Sequence, residues 1–195
     1  MKVTVLEVTD EREIVSLEEA REYLRISPNN KREDLLIQQT LIKGSIDLVE
    51  QYLDRDILSK RRDFHVVNPE GDYFNLPYAP IKTLGSINIR GIGKDDNKLL
   101  VENDDYLVEN SLDLRAYILN KNLMKEYITD RGWTWQITYE TAGIHDDSLM
   151  VMKAGILSLV AALYRERDGR STKTTRNNYQ DWLSRYKNYA YYGIR

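Results

Sequence analysis

The sequence has no cysteine, two histidines and four prolines in 195 residues. The lack of cysteine excludes disulfides, thiolate nucleophiles and zinc sites built on thiolates, and it fits a reducing compartment. Neither His65 nor His145 has a second residue at the spacing of a metal-binding motif such as HExxH. Because an imidazole needs a second group to orient it for acid–base work, we interpret both histidines as satisfied or solvent-facing residues.

Other signatures of catalysis are missing as well. The run Gly91-Ile92-Gly93 lacks the third glycine of a dinucleotide-binding loop, and no P-loop or GxSxG motif is present. The acid pairs Asp95-Asp96, Asp104-Asp105 and Asp146-Asp147 fall in predicted loops or at a helix start, where carboxylates are common. The sequence therefore predicts a protein that is not an enzyme and has no cofactor or metal. Because Glu7 interrupts the N-terminal apolar stretch, we also expect no secretion signal.

Charge is distributed unevenly along the chain. Hydrophobic residues make up 42% and charged residues 30% of the sequence, with a net charge of −3, which is typical of a folded domain. Residues 165–195 alone carry a net charge of +5, so the rest of the chain carries −8. An acidic body with a basic tail favours docking onto another molecule over small-molecule chemistry.

Two helices are predicted near the N-terminus. Ser16 and Glu19 form a capping box before a helix that Ser27-Pro28-Asn29-Asn30 breaks. A longer helix follows from Asn30 to about Asp54, and its Gly44-Ser45 pair would allow another backbone to approach closely.

The region from about residue 60 to 143 has a period of two. Its pairs of alternating apolar residues indicate strands with one buried face, separated by turn sequences: Phe64/Val66, Ile87/Ile89, Tyr106/Val108, Tyr117/Leu119 and Trp135/Ile137/Tyr139. The predicted fold class is α+β, mainly α: a small helical bundle with an inserted antiparallel β-sheet and a C-terminal tail helix. The predicted domains are a helical core over 1–167 that contains the insertion, a flexible linker over 168–178 and a docking tail over 179–195.

A third core helix is predicted over 149–164, where the sequence is apolar almost throughout. A membrane span is the alternative, but sixteen residues that include Lys153 fall short of the roughly 20 that a bilayer requires. We therefore expect this helix to be buried in the fold or between subunits. The residues expected to pack subunits together are Leu149, Ile156, Leu159, Val160 and Leu163.

The tail combines aromatic and basic residues. Four aromatic residues recur at intervals of three and four, which places them along one side of a helix. The tail residues expected to dock onto a partner are Arg176, Tyr179, Trp182, Arg185, Tyr186, Lys187 and Tyr189. The same residue types could bind nucleic acid, since Arg and Lys contact phosphates and aromatic rings stack on bases. We favour a protein partner because the acidic body would repel a phosphate backbone.

Five segments, in this order and spacing, resemble the head-tail connector, or adaptor, proteins of tailed bacteriophages and related gene-transfer particles. The similarity extends over about residues 14–169. The segments are SLEEAREYLRI (16–26), DLLIQQTLIKGSIDLVEQYLDRDIL (34–58), LPYAPIKTLGSINI (76–89), ITYETAG (137–143) and LYRERDG (163–169).

The resemblance implies a particular assembly. Members of that family form a dodecameric ring beneath the portal protein, extend the channel through which DNA passes without sequence-specific binding, and offer a surface to a tail-completion or stopper protein. In several of them the C-terminal segment docks into the portal. The resemblance thus implies a virion protein of the head–tail interface, assembled in the host cytoplasm and not in a membrane.

We therefore predict a structural head–tail connector. The main alternative is a DNA-binding packaging factor that uses the basic aromatic tail, and a further one is a small cytoplasmic interaction domain unrelated to phage.

Overall fold

The computed structural model describes residues 2–27, 29–67, 73–78, 80–82, 88–92, 97–99, 101, 107–110, 116–119, 134–167, 179–181 and 183–186. The chain divides into two compact units. The sheet unit comprises Met1–Glu11 and Leu58–Gly143, and the helical unit comprises Arg12–Ile57 and Ile144–Arg195. The two units are nearly equal in length.

The sheet unit contains two antiparallel sheets. One has the strand order β1-β2-β8-β4-β5 and the other the order β3-β7-β6. The strands are β1 (Lys2–Val8), β2 (Lys60–Val67), β3 (Tyr73–Asn75), β4 (Asn88–Ile92), β5 (Asn97–Leu99), β6 (Leu107–Asn110), β7 (Ala116–Leu119) and β8 (Thr134–Glu140).

One face of the five-stranded sheet forms the core of this unit. Along β8, Trp135, Ile137 and Tyr139 are buried, and the residues between them are half-buried. Phe64 of β2 lies opposite Ile137, and both are almost fully buried. This alternation confirms the predicted period of two, because side chains of a strand point to opposite faces in turn.

The other face of the same sheet is built around a buried carboxylate. Asp63 is 5% exposed and accepts hydrogen bonds from Gln136 Nε2 at 2.7 Å and Thr138 Oγ1 at 3.3 Å. The Nε2 atom of His65 lies 2.8 Å from Asp63 Oδ2. These contacts supply the partners that a buried carboxylate needs, and they show that His65 is a satisfied residue, as expected.

Several strands were not predicted. β3 and β5 have three residues each, which is too short for alternation to be recognised. β1 pairs with β2 at the edge of the sheet, so its buried and exposed positions do not alternate clearly. The predicted strand residues Ile87 and Tyr106 lie outside the described residues.

The first helix of the helical unit, α1 (Leu17–Leu24), begins where its sequence predicts. The Ser16 hydroxyl accepts from the Glu19 amide at 3.2 Å, and the Glu19 carboxylate accepts from the Ser16 amide at 2.9 Å. The predicted capping box is therefore confirmed. The helix ends at Arg25, whose φ of 58° is in the left-handed region.

The second helix runs with a change of pitch. A π-helical segment, Leu36–Ile42, leads directly into α2 (Lys43–Leu53). Hydrogen bonds from i to i+5 widen the turn and shift the phase of the side chains. Ile42 is buried while Leu35, seven residues earlier, is 74% exposed, although an ordinary α-helix would place both on one face.

At Gly44 the described part of the structure does not show the close approach that the Gly44-Ser45 pair was expected to allow. Ser45 is fully buried, but a Cβ at Gly44 would have no atom within 4 Å among the described residues.

The longest helix is α3 (Asp146–Glu166), which extends the predicted 149–164 by several residues. Its segment Ser148–Glu166 is long and apolar enough to cross a membrane by composition, a property that it shares with core helices of soluble proteins. Met152, Ile156 and Val160 are fully buried. Their burial fits the interpretation of α3 as a core helix.

We expect Ile137→Ala to lower the free energy of unfolding of the sheet unit by about 2–5 kcal/mol, because it leaves a cavity in a fully buried site. Leu99→Ala, at a side chain 58% exposed on the same sheet, is the matched control and should change it by less than about 0.5 kcal/mol. Chemical denaturation measures both. Equal effects of the two variants would contradict the assignment of the core face.

Candidate assembly surfaces

The side chains of α3 hold the rest of the helical unit together. Its N-terminal half contacts α1, its middle contacts the C-terminal segment, and its end contacts the approach to the second helix. An apolar helix without these neighbours would expose most of its surface to water. The helical unit is therefore organised around the burial of α3.

Lys153 has a defined partner although it interrupts the apolar sequence of α3. Its Nζ atom lies 2.6 Å from Glu19 Oε1. This hydrogen bond is the main cause that lowers the pKa of Glu19, and the Ser16 amide adds to it. One carboxylate therefore caps α1 with one oxygen and ties α1 to α3 with the other.

Glu33 joins the end of α3 to the residues that precede the π-helical segment. Its Oε1 accepts from Arg167 Nη1 at 2.7 Å, and its Oε2 accepts from the Tyr164 hydroxyl. The Arg167 guanidinium also lies 4.6 Å from the centre of the Tyr164 ring. The Tyr164 hydroxyl, followed by Arg167, lowers the pKa of Glu33, and the Glu33 carboxylate raises the pKa of Tyr164.

The start of the C-terminal segment packs within the helical unit. The ring of Tyr179 meets that of Tyr52 edge to face at 5.7 Å, and the Tyr52 hydroxyl donates to the Gln180 carbonyl at 3.3 Å. Leu183 is fully buried, and a Cβ added at Gly155 would lie 3.0 Å from its Cδ1. Gly155 thus leaves room on α3 for the side chain of Leu183.

The structure describes only some of the predicted docking residues. Tyr179 is 9% exposed and packs within its own unit, while Tyr186 is half-buried in a 3₁₀ turn, Ser184–Tyr186. Only the backbone of Arg185 is described. The others lie outside the described residues, as does the predicted linker: Arg176, Trp182, Lys187 and Tyr189. Docking of the tail onto a partner stays a prediction.

The predicted subunit-packing residues also divide. Ile156, Leu159 and Val160 are buried in the core of the helical unit and are not available to a neighbouring subunit. Leu149 and Leu163 are half-buried. Only these two of the five retain surface for contact with another chain.

Other apolar side chains are more exposed than these. On the helical unit they include Leu35 and Met150, which is 76% exposed, and on the sheet unit they lie at both edges of the five-stranded sheet. The edge residues are Val5, Leu6 and Val8 on β1, and Leu99 and Val101 at or just after β5. Sequence reasoning missed β1, although the alternation in KVTV is a strand signal.

Within the described ranges, no three acidic, histidine or cysteine side chains are grouped so that they could hold a metal ion.

We expect Gly44→Ala to raise the free energy of unfolding by up to about 1 kcal/mol, because alanine favours helix and its methyl meets no neighbour. Gly155→Ala should gain less, because its methyl contacts Leu183. Gly155→Leu should destabilise the unit by displacing Leu183. Thermal denaturation of the three variants measures this, and equal stabilisation by both alanines would contradict the packing of Leu183 on α3.

We expect Glu33→Gln to lower the melting temperature near pH 7, because it removes the charge paired with Arg167. The hydrogen bonds from Tyr164 and Arg167 lower the pKa of Glu33 below its ordinary value of 4.5. The stabilisation that the Glu33 carboxylate provides is therefore present above pH 4.5 and is lost as the pH falls further. The difference in melting temperature between the two proteins should therefore shrink below pH 4.5. A difference that stays constant down to pH 3 would contradict this.

Comparison with known proteins yields similarity of structure without similarity of sequence. No protein-family model matches the chain, and no curated protein matches it in sequence. A chain in the neck of an empty GTA particle, computed with C6 symmetry, is 15% identical with a TM-score of 0.69, and the match covers 100% of both chains.

Two further structures are similar. A chain in the virion of a native gene transfer agent (GTA) particle is 16% identical with a TM-score of 0.69, and the match covers 100% of this chain and 99% of the other. A chain in the neck of a native GTA particle, computed with C12 symmetry, is 15% identical with a TM-score of 0.63, with complete coverage of both. The chain therefore has, from end to end, the fold of chains found in gene transfer agent particles.

Proposed function

We propose that this protein is a structural subunit of the neck of a phage-like particle, a head–tail connector that forms a ring between the portal protein and the tail. The ring extends the channel for double-stranded DNA and offers a surface to the next tail-completion protein. The protein works by its shape and contacts and not by catalysis. Its place is the particle, after assembly in the host cytoplasm.

The observation that carries this proposal is the similarity of fold over the whole length. The match covers 100% of this chain and 100% of a chain from a particle neck, with a TM-score of 0.69. A match confined to a common motif, such as a helical hairpin, would leave part of one chain uncovered. Here the sheet unit and the helical unit are both included.

The symmetries of those structures support a ring. The two neck structures were computed with C6 and C12 symmetry, which is the symmetry of cyclic assemblies. The five segments that resemble head–tail connectors span both units of this chain in the same way. A ring in which each subunit contributes a small contact gains strength by repetition.

The C-terminal segment is the proposed link to the portal. Tyr179 and Leu183 fix its start on the helical unit, and the basic and aromatic residues that follow, including Lys187 and Tyr189, are proposed to reach the portal. This division assigns the first aromatic residue to the subunit core and the later ones to docking. The acidic remainder of the chain keeps DNA from adhering to the channel, because like charges release no counterions.

We expect the purified chain to sediment as a 22.9 kDa monomer and to co-sediment with portal rings from the same genome. Trp182→Ala combined with Tyr186→Ala should weaken co-sedimentation at least tenfold and leave the melting temperature unchanged. A melting temperature that falls by several degrees would show that these residues belong to the core.

The same samples test the nucleic-acid alternative. A connector should bind duplex DNA weakly, whereas a packaging factor should bind it tightly and lose affinity steeply with rising salt. Steep salt-dependent binding to DNA without co-sedimentation with portal rings would contradict the connector proposal.

A further inference from the structure

A groove of about 590 Å³ lies in the helical unit between the end of α1 and the C-terminal half of α3. Its lining residues are Tyr23, Leu24, Arg25, Ala161, Tyr164 and Arg165. Leu24 and Ala161 supply apolar surface, while the two arginines and the tyrosines supply donors of hydrogen bonds. The groove therefore combines an apolar floor with positive charge.

Apart from the Tyr164 hydroxyl, which donates to Glu33, the donor side chains at this groove are unused within the described chain. Arg25 and Arg165 are exposed, and neither forms an ion pair with any described acidic residue. Tyr23 is 50% exposed, and its hydroxyl has no hydrogen-bond partner among the described residues. By contrast, Arg21 and Arg167 nearby are held by Asp34 and Glu33. The arginines of the groove thus differ from their neighbours in having no acidic partner among the residues that the structure describes.

The backbone conformation of Arg25 is unusual for a residue with a side chain. Its φ of 58° is one that glycine usually provides at the end of a helix, and a residue with a side chain adopts it less readily. Its amide still closes the helix by bonding to the Arg21 and Glu22 carbonyls, a role that glycine would fill equally well. Glycine at this position would close the helix equally well but would place no guanidinium at the rim of the groove.

A complementary surface exists on the sheet unit of the same protein. Four consecutive residues at the end of β1 are exposed, Val5, Leu6, Glu7 and Val8, and Glu11 follows shortly after. A bulge at Leu6 interrupts the pairing with β2 between Val5 and Glu7. Neither Glu7 nor Glu11 is paired with a described basic side chain. The edge of β1 also leaves backbone donors and acceptors open on its outer side.

We propose that the end of β1 from one copy of this protein, residues 5–11, docks into the groove of a second copy. Leu6 and Val8 bury apolar surface against Leu24 and Ala161, while Glu7 and Glu11 pair with Arg25 and Arg165. The match is one of charge and of apolar surface together, and such complementarity favours one partner over others. A nucleic acid would use the arginines alone, leaving the apolar floor exposed.

This contact joins two different surfaces of the chain, so it is head-to-tail. Such contacts produce closed rings when the rotation between copies closes and filaments when it does not. The inference rests on the proposed function in one respect: the neck ring is where copies would lie side by side. A single contact of this size is weak. A portal ring that holds several copies together would raise their effective concentration and so strengthen the contact.

The test uses the full chain and a fluorescent peptide of residues 4–12, TVLEVTDER. We expect saturable binding that the double variant Arg25→Glu with Arg165→Glu weakens at least tenfold. A peptide with lysine at the positions of Glu7 and Glu11 should show the reverse preference and bind the double variant better. Equal binding of the first peptide to both proteins, or no binding, would overturn the proposal.

Two controls separate this inference from fold and from the neck function. The double variant should keep its melting temperature within a few degrees, and Arg32→Glu, at another exposed arginine of the helical unit, should bind the peptide normally.

If portal rings still bind the chain but the peptide does not, the groove inference fails and the neck function stands. If the peptide binds but portal rings do not, the neck function fails. Duplex DNA binding that the double variant abolishes, without peptide binding, would assign the groove to nucleic acid and overturn the inference.

Discussion

The burial of α3 is the constraint on which the helical unit depends. This helix is apolar almost throughout, and the chain surrounds it with α1, the second helix and the start of the C-terminal segment. Burial of its large side chains supplies most of the free energy for packing, on the order of 2 kcal/mol for each fully buried one. The polar contacts of Lys153 and Tyr164 with Glu19 and Glu33 then fix how the neighbours lie along it.

That arrangement leaves the protein with a stable interior and several uncovered surfaces. The middle of α3 is occupied by Leu183, so it cannot serve as a contact between subunits. Apolar side chains instead reach solvent at both edges of the five-stranded sheet and at Leu35 and Met150. Exposed apolar residues at sheet edges are sites where other chains can add on.

Much of the helical unit could be predicted from the sequence, because its signals are local. The capping box at Ser16 and Glu19 predicts the start of α1, and an apolar run with few interruptions predicts α3. The π-helical turn could not be predicted, since its effect is a change of phase that the spacing of Leu35 and Ile42 does not reveal. The sheet was predicted less completely. Alternation identified β2 and β8, and the edge strand β1 was missed although its start alternates, whereas the three-residue strands depend on pairing with distant residues.

For the candidate surfaces too, the local sequence predicts some features, while others depend on contacts between residues that are distant in sequence. Helical spacing placed Tyr179 and Tyr186 on one side of a tail helix, but only the packing against Tyr52 and Gly155 shows that the start of this segment belongs to the core. Likewise, periodicity marked Ile156 and Val160 as buried without saying whether the burying surface lies in the same chain. The groove between α1 and α3 brings together Arg25 and Arg165, which are far apart in sequence.

Electron microscopy of the purified chain mixed with portal rings from the same genome tests the proposal that this chain forms a ring in the neck of a particle. If the proposal is right, an added ring of density should be seen on the narrow end of the portal. The absence of a complex at any mixing ratio would contradict it.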